Sequence, residues 1–538
     1  MLSENEKLPK AIDLSHHLSE VSKSRETSPL KGLARYFGKP GIISLAGGMP
    51  SPVYFPVASL SAETLAFDSF ATTPSVSSES NVSWFWRLFS KGERTEHMTI
   101  PKYSTSSPQD SVSLEIALQY GTAQGLVPLQ NFIRTFTSRI YKPQYSDVAI
   151  LIHAGNTDGF GRAIQTLCNP GEMFLTEEWT YPSALASAKP HGVNPVSVKI
   201  DGEGMRSDDL RKVLSEWNES LRGAPRPHVL YTVPVGQNPT GATMGASRKK
   251  EIYDVCVEYD IIIIEDDPYF FLQQDPYVPK ASRSYPKAKD GDTEFLSKLA
   301  PSFLKFDYQG RVIRLDSFSK TIAPGSRLGW FTCNEIFAER FERHGETSTQ
   351  APCGFGQALI TQLLTKQWGY SGYIRWLRGL RSEYTQRRDF FIDELSSRFS
   401  MRSVYMAQGP WAGCTALIAY PKVKRPRNSV SEKLMLNDQS IFSFVPPTSG
   451  MFLWLKIHFE NYPSFKPQDK AILEIKLWEK LADAGVLVGP GWMFASTDDI
   501  QKETEGHLRI SFSLVDFETM KKSITVISDV LQDFFGLL

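Results

Sequence analysis

The sequence predicts an α/β protein built around a mostly parallel sheet. Helix-like and strand-like segments alternate from about residue 110 to 300. The strands there are short apolar runs, such as Ile261-Ile-Ile-Ile-Glu265. A second, smaller set of strands follows near the C-terminus.

Residues 1–27 are polar and aperiodic and read as a loose arm. Residues 42–50 read as an extended piece ending in a glycine turn. Residues 66–100 are Ser/Thr-rich around an aromatic cluster (Trp84, Phe85, Trp86) and read as an insertion. Helices are expected over 128–140, 157–168, 207–217 and 245–258. Strands are expected over Val148–His153, Met173–Thr176, His228–Val233 and Ile261–Glu265. After a polar stretch at 273–310 comes the strand Arg311–Asp316. Residues 357–400 read as one long amphipathic helix and 403–445 as irregular, with the basic segment Pro421–Arg427 as a solvated loop. Strands at 449–456, 485–489 and 507–513 make a smaller α/β unit.

Composition sets the bounds. The chain of 538 residues corresponds to two to four domains at roughly 150 residues each. Lys and Arg total 59, as do Asp and Glu, so the net charge is zero. That balance argues against a nucleic-acid partner. No stretch approaches the ~18 apolar residues of a membrane span. The five cysteines include no CxxC pair, so neither a disulfide framework nor a structural metal is expected. With no secretory pattern at the N-terminus, a cytoplasmic setting is expected.

Five segments carry chemistry. In Arg314-Leu-Asp-Ser-Phe-Ser-Lys320 a strand ends in a turn that gathers Ser317, Ser319 and Lys320, and Arg327 follows seven residues later. An amine beside hydroxyls and a guanidinium suits a phosphate-bearing aldehyde; Ser-x-x-Lys by itself also occurs in serine acyl-transfer enzymes. Asp266 stands at the carboxyl end of the four-isoleucine strand, where ligands bind in open α/β sheets, with Tyr269 three residues on. A carboxylate there can pair with a protonated pyridine nitrogen or simply cap the strand. Asn238 is fixed by a Pro/Gly-rich turn. Ala154-Gly-Asn156-Thr157 opens a helix whose N–H groups form a phosphate cup. Arg509 lies inside an apolar strand, where its fork suits either a substrate carboxylate or a structural salt bridge.

Together these segments resemble the fold-type-I pyridoxal-phosphate aminotransferases of class I/II. The resemblance is strongest to the branch of fungal aromatic-amino-acid aminotransferases and animal kynurenine/2-aminoadipate aminotransferases. Ser44-Leu-Ala-Gly-Gly-Met-Pro, Gln119-Tyr-Gly, Glu265-Asp-Asp-Pro-Tyr and Asp316-Ser-Phe-Ser-Lys carry it, from about residue 28 to the C-terminus. It implies a large domain, with a mostly parallel seven-stranded sheet flanked by helices, and a small α/β domain. The implied division is an arm over 1–27, a small domain from 28–55 and 350–538 (insert about 403–445), and a cofactor-binding domain over 56–349 (inserts about 66–100 and 273–310).

The resemblance also implies roles. Lys320 would hold pyridoxal 5'-phosphate through its amine and shuttle protons, and Asp266 would keep the pyridine nitrogen protonated. Asn238 and Tyr269 would hydrogen-bond the ring's O3′ oxygen, and Tyr181 would stack on the ring. Asn156, Thr157, Ser317 and Arg327 would bind the phosphate. Tyr120 would reach it from a second subunit, which implies a homodimer. Arg509 would grip the substrate carboxylate, with Asn238 and Gly48 against the substrate. Lys31 stands where the animal relatives place an arginine near the substrate side chain, and Asn156-Thr157 where many relatives carry Ser-Gln.

The implied activity is transfer of the amino group of Phe, Tyr or Trp to a 2-oxo acid such as 2-oxoglutarate, by a ping-pong mechanism. The alternatives are a 2-aminoadipate or kynurenine aminotransferase, a pyridoxal-phosphate lyase or decarboxylase, and a non-enzymatic sensing domain. The last would need a DNA-binding module, and the balanced charge speaks against one.

Overall fold

The computed structural model describes residues 8–27, 29, 41–43, 45–46, 48–73, 94–104, 107, 111–284, 291–422, 439–502 and 506–537. Its strands are β1 (Ser59–Leu65), β2 (Thr95–Pro101), β3 (Val148–His153), β4 (Met173–Glu177), β5 (Asn194–Val198), β6 (Ile200–Asp201), β7 (Gly204–Met205), β8 (Val229–Thr232), β9 (Ile262–Asp266), β10 (Val312–Ser317), β11 (Gly329–Asn334), β12 (Phe399–Tyr405), β13 (Thr415–Pro421), β14 (Phe442–Phe444), β15 (Phe452–Ile457), β16 (Gly489–Pro490) and β17 (His507–Ser511).

Seven of them form the main sheet, in the order β3-β11-β10-β9-β8-β4-β5. The pairings β4–β5, β4–β8, β8–β9 and β9–β10 are parallel, and only β11 runs against its neighbours β3 and β10. Helices cover both faces, so β8, β9 and β10 are buried along their whole length. That burial is why β8 and β9 open in the sequence as apolar runs rather than alternating ones, while β10, Val-Ile-Arg-Leu-Asp-Ser, buries Arg314 and Asp316 among its apolar residues. The expected strands at 148, 173, 228, 261 and 311 and the helices at 128, 157, 207 and 245 are present within one or two residues.

The second sheet has six antiparallel strands, in the order β12-β13-β14-β15-β17-β16. Behind it lie the helices Gly369–Arg398, Lys470–Asp483 and Phe517–Phe534, the last with Met520, Ile524, Ile527 and Leu531 buried at helical spacing.

Several expectations are corrected. The described part of the N-terminal arm is docked, not loose. Leu14 and Leu18 enter the core, and Ser19 caps the helix Glu20–Ser24. His17 is buried between Asp260 (Nε2 to Oδ1, 3.1 Å) and His228 (Nδ1 to Nδ1, 3.0 Å). Two apolar residues in a short segment leave no periodic signal, so the sequence hides this contact.

All three expected insertions contribute structure. The end of 66–100 is strand β2, paired with β1, and Phe67 and Phe70 pack on Gly372 and Gly379. The cluster Trp84, Phe85 and Trp86 lies outside the described residues. Within 273–310, Phe295, Phe303 and Leu304 are core residues. Buried Asp307 accepts the N–H groups of Gly310, Arg311 and Val312. The end of β12 and all of β13 and β14 fall inside 403–445, while residues 423–427 of the basic segment lie outside the described residues.

The helix expected over 357–400 is broken. Gly354–Gln362 passes into a π-helical turn at Leu363–Trp368, and a new helix starts at Gly369, whose φ of +62° suits a residue without Cβ. The strand expected at 485–489 shrinks to Gly489–Pro490. Among the described residues no helix is long and apolar enough to cross a membrane.

Candidate active site

Four of the five chemical segments, and Tyr181, lie just past the carboxyl ends of β3, β4, β8, β9 and β10. This is the edge where an open α/β sheet presents backbone N–H groups and loops to a ligand. The fifth, Arg509, comes from β17, opposite Trp454 of β15 and Gly489 of β16.

Lys320 ends a single 3-10 turn, Phe318–Lys320, which directly follows β10. Ser317 caps that turn: its Oγ accepts the N–H of Ser319 (3.1 Å) and donates to Ser319 Oγ (2.8 Å). Arg327 reaches back with Nη1 to Ser319 Oγ (3.2 Å) and Nη2 to the carbonyl of Ala154 (2.9 Å). It thereby joins the lysine turn to the start of the helix Asn156–Leu167. That helix has no side-chain cap, so its first N–H groups are open to an anion. Gly155 stands at φ +95°, which favours glycine, and a Cβ there would fall 2.1 Å from Arg327 Nη2 and displace that guanidinium. Burial lowers the pKa of the Lys320 amine, and Arg509 and Arg327 lower it further.

Asp266 is buried at the end of β9. Tyr231 OH donates to Oδ2 (2.8 Å) and Asn156 Nδ2 to Oδ1 (2.6 Å). Burial pushes the carboxyl up, and these two hydrogen bonds pull it back. The side chain of Asn156, expected among the phosphate ligands, turns towards β9 and β10 in this structure. The amide is committed to Asp266 and to the carbonyl of Leu315 (3.1 Å), leaving only its backbone N–H for the cup. Thr157 is exposed beside it.

Arg509 lies over the rings of Phe452 (4.3 Å) and Phe494 (4.7 Å). Its Nη1 donates to Asn238 Oδ1 (2.8 Å), and its Nε is buried without a partner. No described carboxylate pairs with it, so the structural salt bridge considered from sequence is absent among the described residues. Tyr269 is buried edge-on to Phe452 (5.8 Å). Tyr181 is half-buried at the head of the helix Pro182–Ala188.

Two further expected residues, Gly48 and Tyr120, lie at the surface of the chain. Gly48 is exposed, with nothing within 4 Å of where a Cβ would stand. Tyr120 is 62% exposed. Lys31 lies outside the described residues.

A buried ionic network behind the site escaped the sequence reading. Because side chains alternate along β9, Glu265 and Asp267 face away from Asp266. Fully buried Arg314 meets Glu265 (3.1 Å), Asp267 (3.0 Å) and Asp316 (2.9 Å) and stacks on Tyr141 (3.9 Å). Lys249, also buried, donates to the carbonyl of Pro301 (2.6 Å). Burial lifts the Asp267 carboxyl to about 7. The signal was available: Arg314 pairs in register with Glu265, and a lone arginine in a buried strand requires carboxylates.

A lysine amine, a buried carboxylate, an open helix start and a free guanidinium around one sheet edge define a pyridoxal 5'-phosphate enzyme of fold type I. The residues fit that cofactor, since two buried polar atoms, Asn156 Oδ1 and Arg509 Nε, lack partners here and the helix start at Asn156 has no side-chain cap. The profile of the family "aminotransferase class I and II" matches residues 94–441. The chain belongs to this family. It is similar to an aromatic amino acid aminotransferase of Schizosaccharomyces pombe, at 34% identity over 97% of this chain and 98% of that protein. An L-tyrosine:2-oxoglutarate aminotransferase of Tapinella panuoides is 31% identical over 98% and 97%. The crystal structure of the aminotransferase Aro8 from Candida albicans superposes with a TM-score of 0.81, at 35% identity, covering 98% of this chain and 100% of that one.

Proposed function

We propose that this protein is a transaminase moving the α-amino group of aromatic amino acids to a 2-oxo acid such as 2-oxoglutarate. The observation that carries the reading is Arg509, a half-buried guanidinium held between two phenylalanine rings with no acidic partner among the described residues. It offers a bidentate site to an α-carboxylate, and Phe452 and Phe494 give an apolar, aromatic setting beside it. The names of the relatives in Schizosaccharomyces pombe and Tapinella panuoides support the aromatic substrate class and the acceptor.

When bound, pyridoxal 5'-phosphate supplies an electron sink for the substrate α-carbon. The chain supplies the rest. The open helix start at Asn156–Thr157, Ser317 and Arg327 would hold the phosphate. Asp266 would keep the ring nitrogen protonated, and Asn238 and Tyr269 would orient the ring oxygen. Tyr181 would pack on the ring. Arg509 would fix the substrate carboxylate, leaving the α-proton to Lys320. Because burial and two guanidinium groups lower its pKa, the Lys320 amine is more readily neutral and can take and return that proton as a general base. A second substrate, the oxo acid, reverses the sequence, giving ping-pong kinetics.

A homodimer would cover the exposed apolar side chains Ile43, Leu45, Val53, Tyr54 and Tyr120. Tyr120 would then serve the partner's phosphate. Five free cysteines suit a reducing compartment such as the cytoplasm.

The test is the visible spectrum of the purified holoenzyme during addition of single amino acids. Loss of the cofactor band with Phe, Tyr or Trp supports the reading. A response to 2-aminoadipate or kynurenine alone transfers it to those substrates. Turnover by Lys320→Ala overturns the mechanism.

A further inference from the structure

Asn156 stands at the first position of the helix after β3, among the residues that would otherwise line the phosphate cup. Its side chain turns the other way. One amide N–H reaches Asp266 Oδ1 at 2.6 Å on β9, and the other reaches the carbonyl of Leu315 at 3.1 Å on β10. Leu315 and Asp266 are register partners, so this one amide bridges two strands where the buried acid emerges. The orientation is set by chemistry: a flipped amide would place its oxygen against a carboxylate and a carbonyl, three acceptors with no donor. Tyr231 OH takes the other carboxylate oxygen at 2.8 Å from β8. Both donors are uncharged, and both stabilise the ionised form against the desolvation that burial imposes.

We propose that Asn156, with Tyr231, is a positioning residue for Asp266. The pair keeps that carboxylate ionised and aimed at the ring nitrogen, and the Asn156 side chain makes no contribution to the phosphate. This rests on the reading of the site as a cofactor pocket, but its test needs no amino-acid substrate.

Asn156→Ser leaves at most one side-chain donor and cannot bridge both acceptors. Full-length apoenzyme, wild type and variant, is titrated with pyridoxal 5'-phosphate and with its 1-deaza analogue, which has the same phosphate but no ring nitrogen. Inorganic phosphate is used as a competitor of cofactor rebinding. The variant is expected to bind pyridoxal 5'-phosphate about tenfold more weakly or worse, the range of one hydrogen bond to a charged group. It should bind the 1-deaza analogue within about twofold of wild type, and competition by inorganic phosphate should be unchanged. Tyr231→Phe, which keeps the ring and its packing, should show the same pattern and guards against a folding defect in the first variant. Equal losses for the two ring types, weaker competition by phosphate, or unchanged affinity for pyridoxal 5'-phosphate would each overturn the assignment. Failure of the aromatic-substrate reading would appear separately, as a cofactor band that no aromatic amino acid changes.

Discussion

Gly155→Ala isolates the join between the lysine turn and the helix start. The new Cβ would sit 2.1 Å from Arg327 Nη2 and 2.8 Å from its Cζ, at a backbone φ of +95°. The clash is with the tip of an exposed, flexible side chain, so the guanidinium swings away and the fold survives. The left-handed backbone costs about 1–2 kcal/mol, which for 538 residues lowers the melting temperature by roughly 1–2 °C. Arg327 loses its contacts to Ala154 and Ser319 and its aim at the phosphate. A charge-assisted hydrogen bond is worth about 1.5–3 kcal/mol, so cofactor affinity should fall roughly 10- to 150-fold. Fluorescence titration of the apoenzyme reads this directly. Arg327→Ala should cause a similar loss, and the double variant little more than either single one, because both act through the same guanidinium. Additive losses, or full affinity in Gly155→Ala, would refute the reasoning.

Arg509→Lys keeps a charge but loses the fork, and should lower kcat/KM for aromatic amino acids by about one to two orders of magnitude with cofactor affinity unchanged, as read by steady-state kinetics and cofactor titration. Arg314→Met removes the guanidinium that faces Glu265, Asp267 and Asp316 and should cost about 3–5 kcal/mol in urea unfolding. His507→Phe addresses acid stability. Burial lowers His507 to about 3, so below about pH 6.5 the unfolded chain binds a proton that the folded chain refuses, and stability falls as pH falls. Glu177 and Asp267, both raised by burial to about 7, act oppositely, holding protons in the fold that are lost as pH rises. The difference between wild type and His507→Phe isolates one group. Its stability curve should be flatter by up to about 1.4 kcal/mol per pH unit between pH 6 and 4, and equal slopes in urea titrations would contradict this.

The sheet was legible where burial on both faces makes a strand an apolar run, as at β3, β8 and β9. It was illegible at β5 (Asn-Pro-Val-Ser-Val), an edge strand carrying a proline, and at β11, whose Gly-Trp-Phe-Thr-Cys-Asn has no period. Site residues were found because each follows a strand in a fixed order, which gives a position but not the direction of a side chain. Asn156 shows the difference: its place at the helix start was evident, while its turn towards Asp266 depends on how close β3, β9 and β10 end to one another. Asp267 and Glu265 could have been separated from Asp266 by strand alternation alone. Tyr120 is exposed in the single chain, and its expected use depends on a second subunit that no residue pattern in the first can position.

Transfer of labelled nitrogen tests the central claim most directly. Holoenzyme is incubated with tyrosine carrying an isotopically labelled amino group and with 2-oxoglutarate, and the products are resolved by mass spectrometry. The account predicts labelled glutamate and the aromatic 2-oxo acid in equal amounts, with Lys320→Ala forming neither. Label recovered as ammonia, or in an amine formed with loss of carbon dioxide, would contradict it.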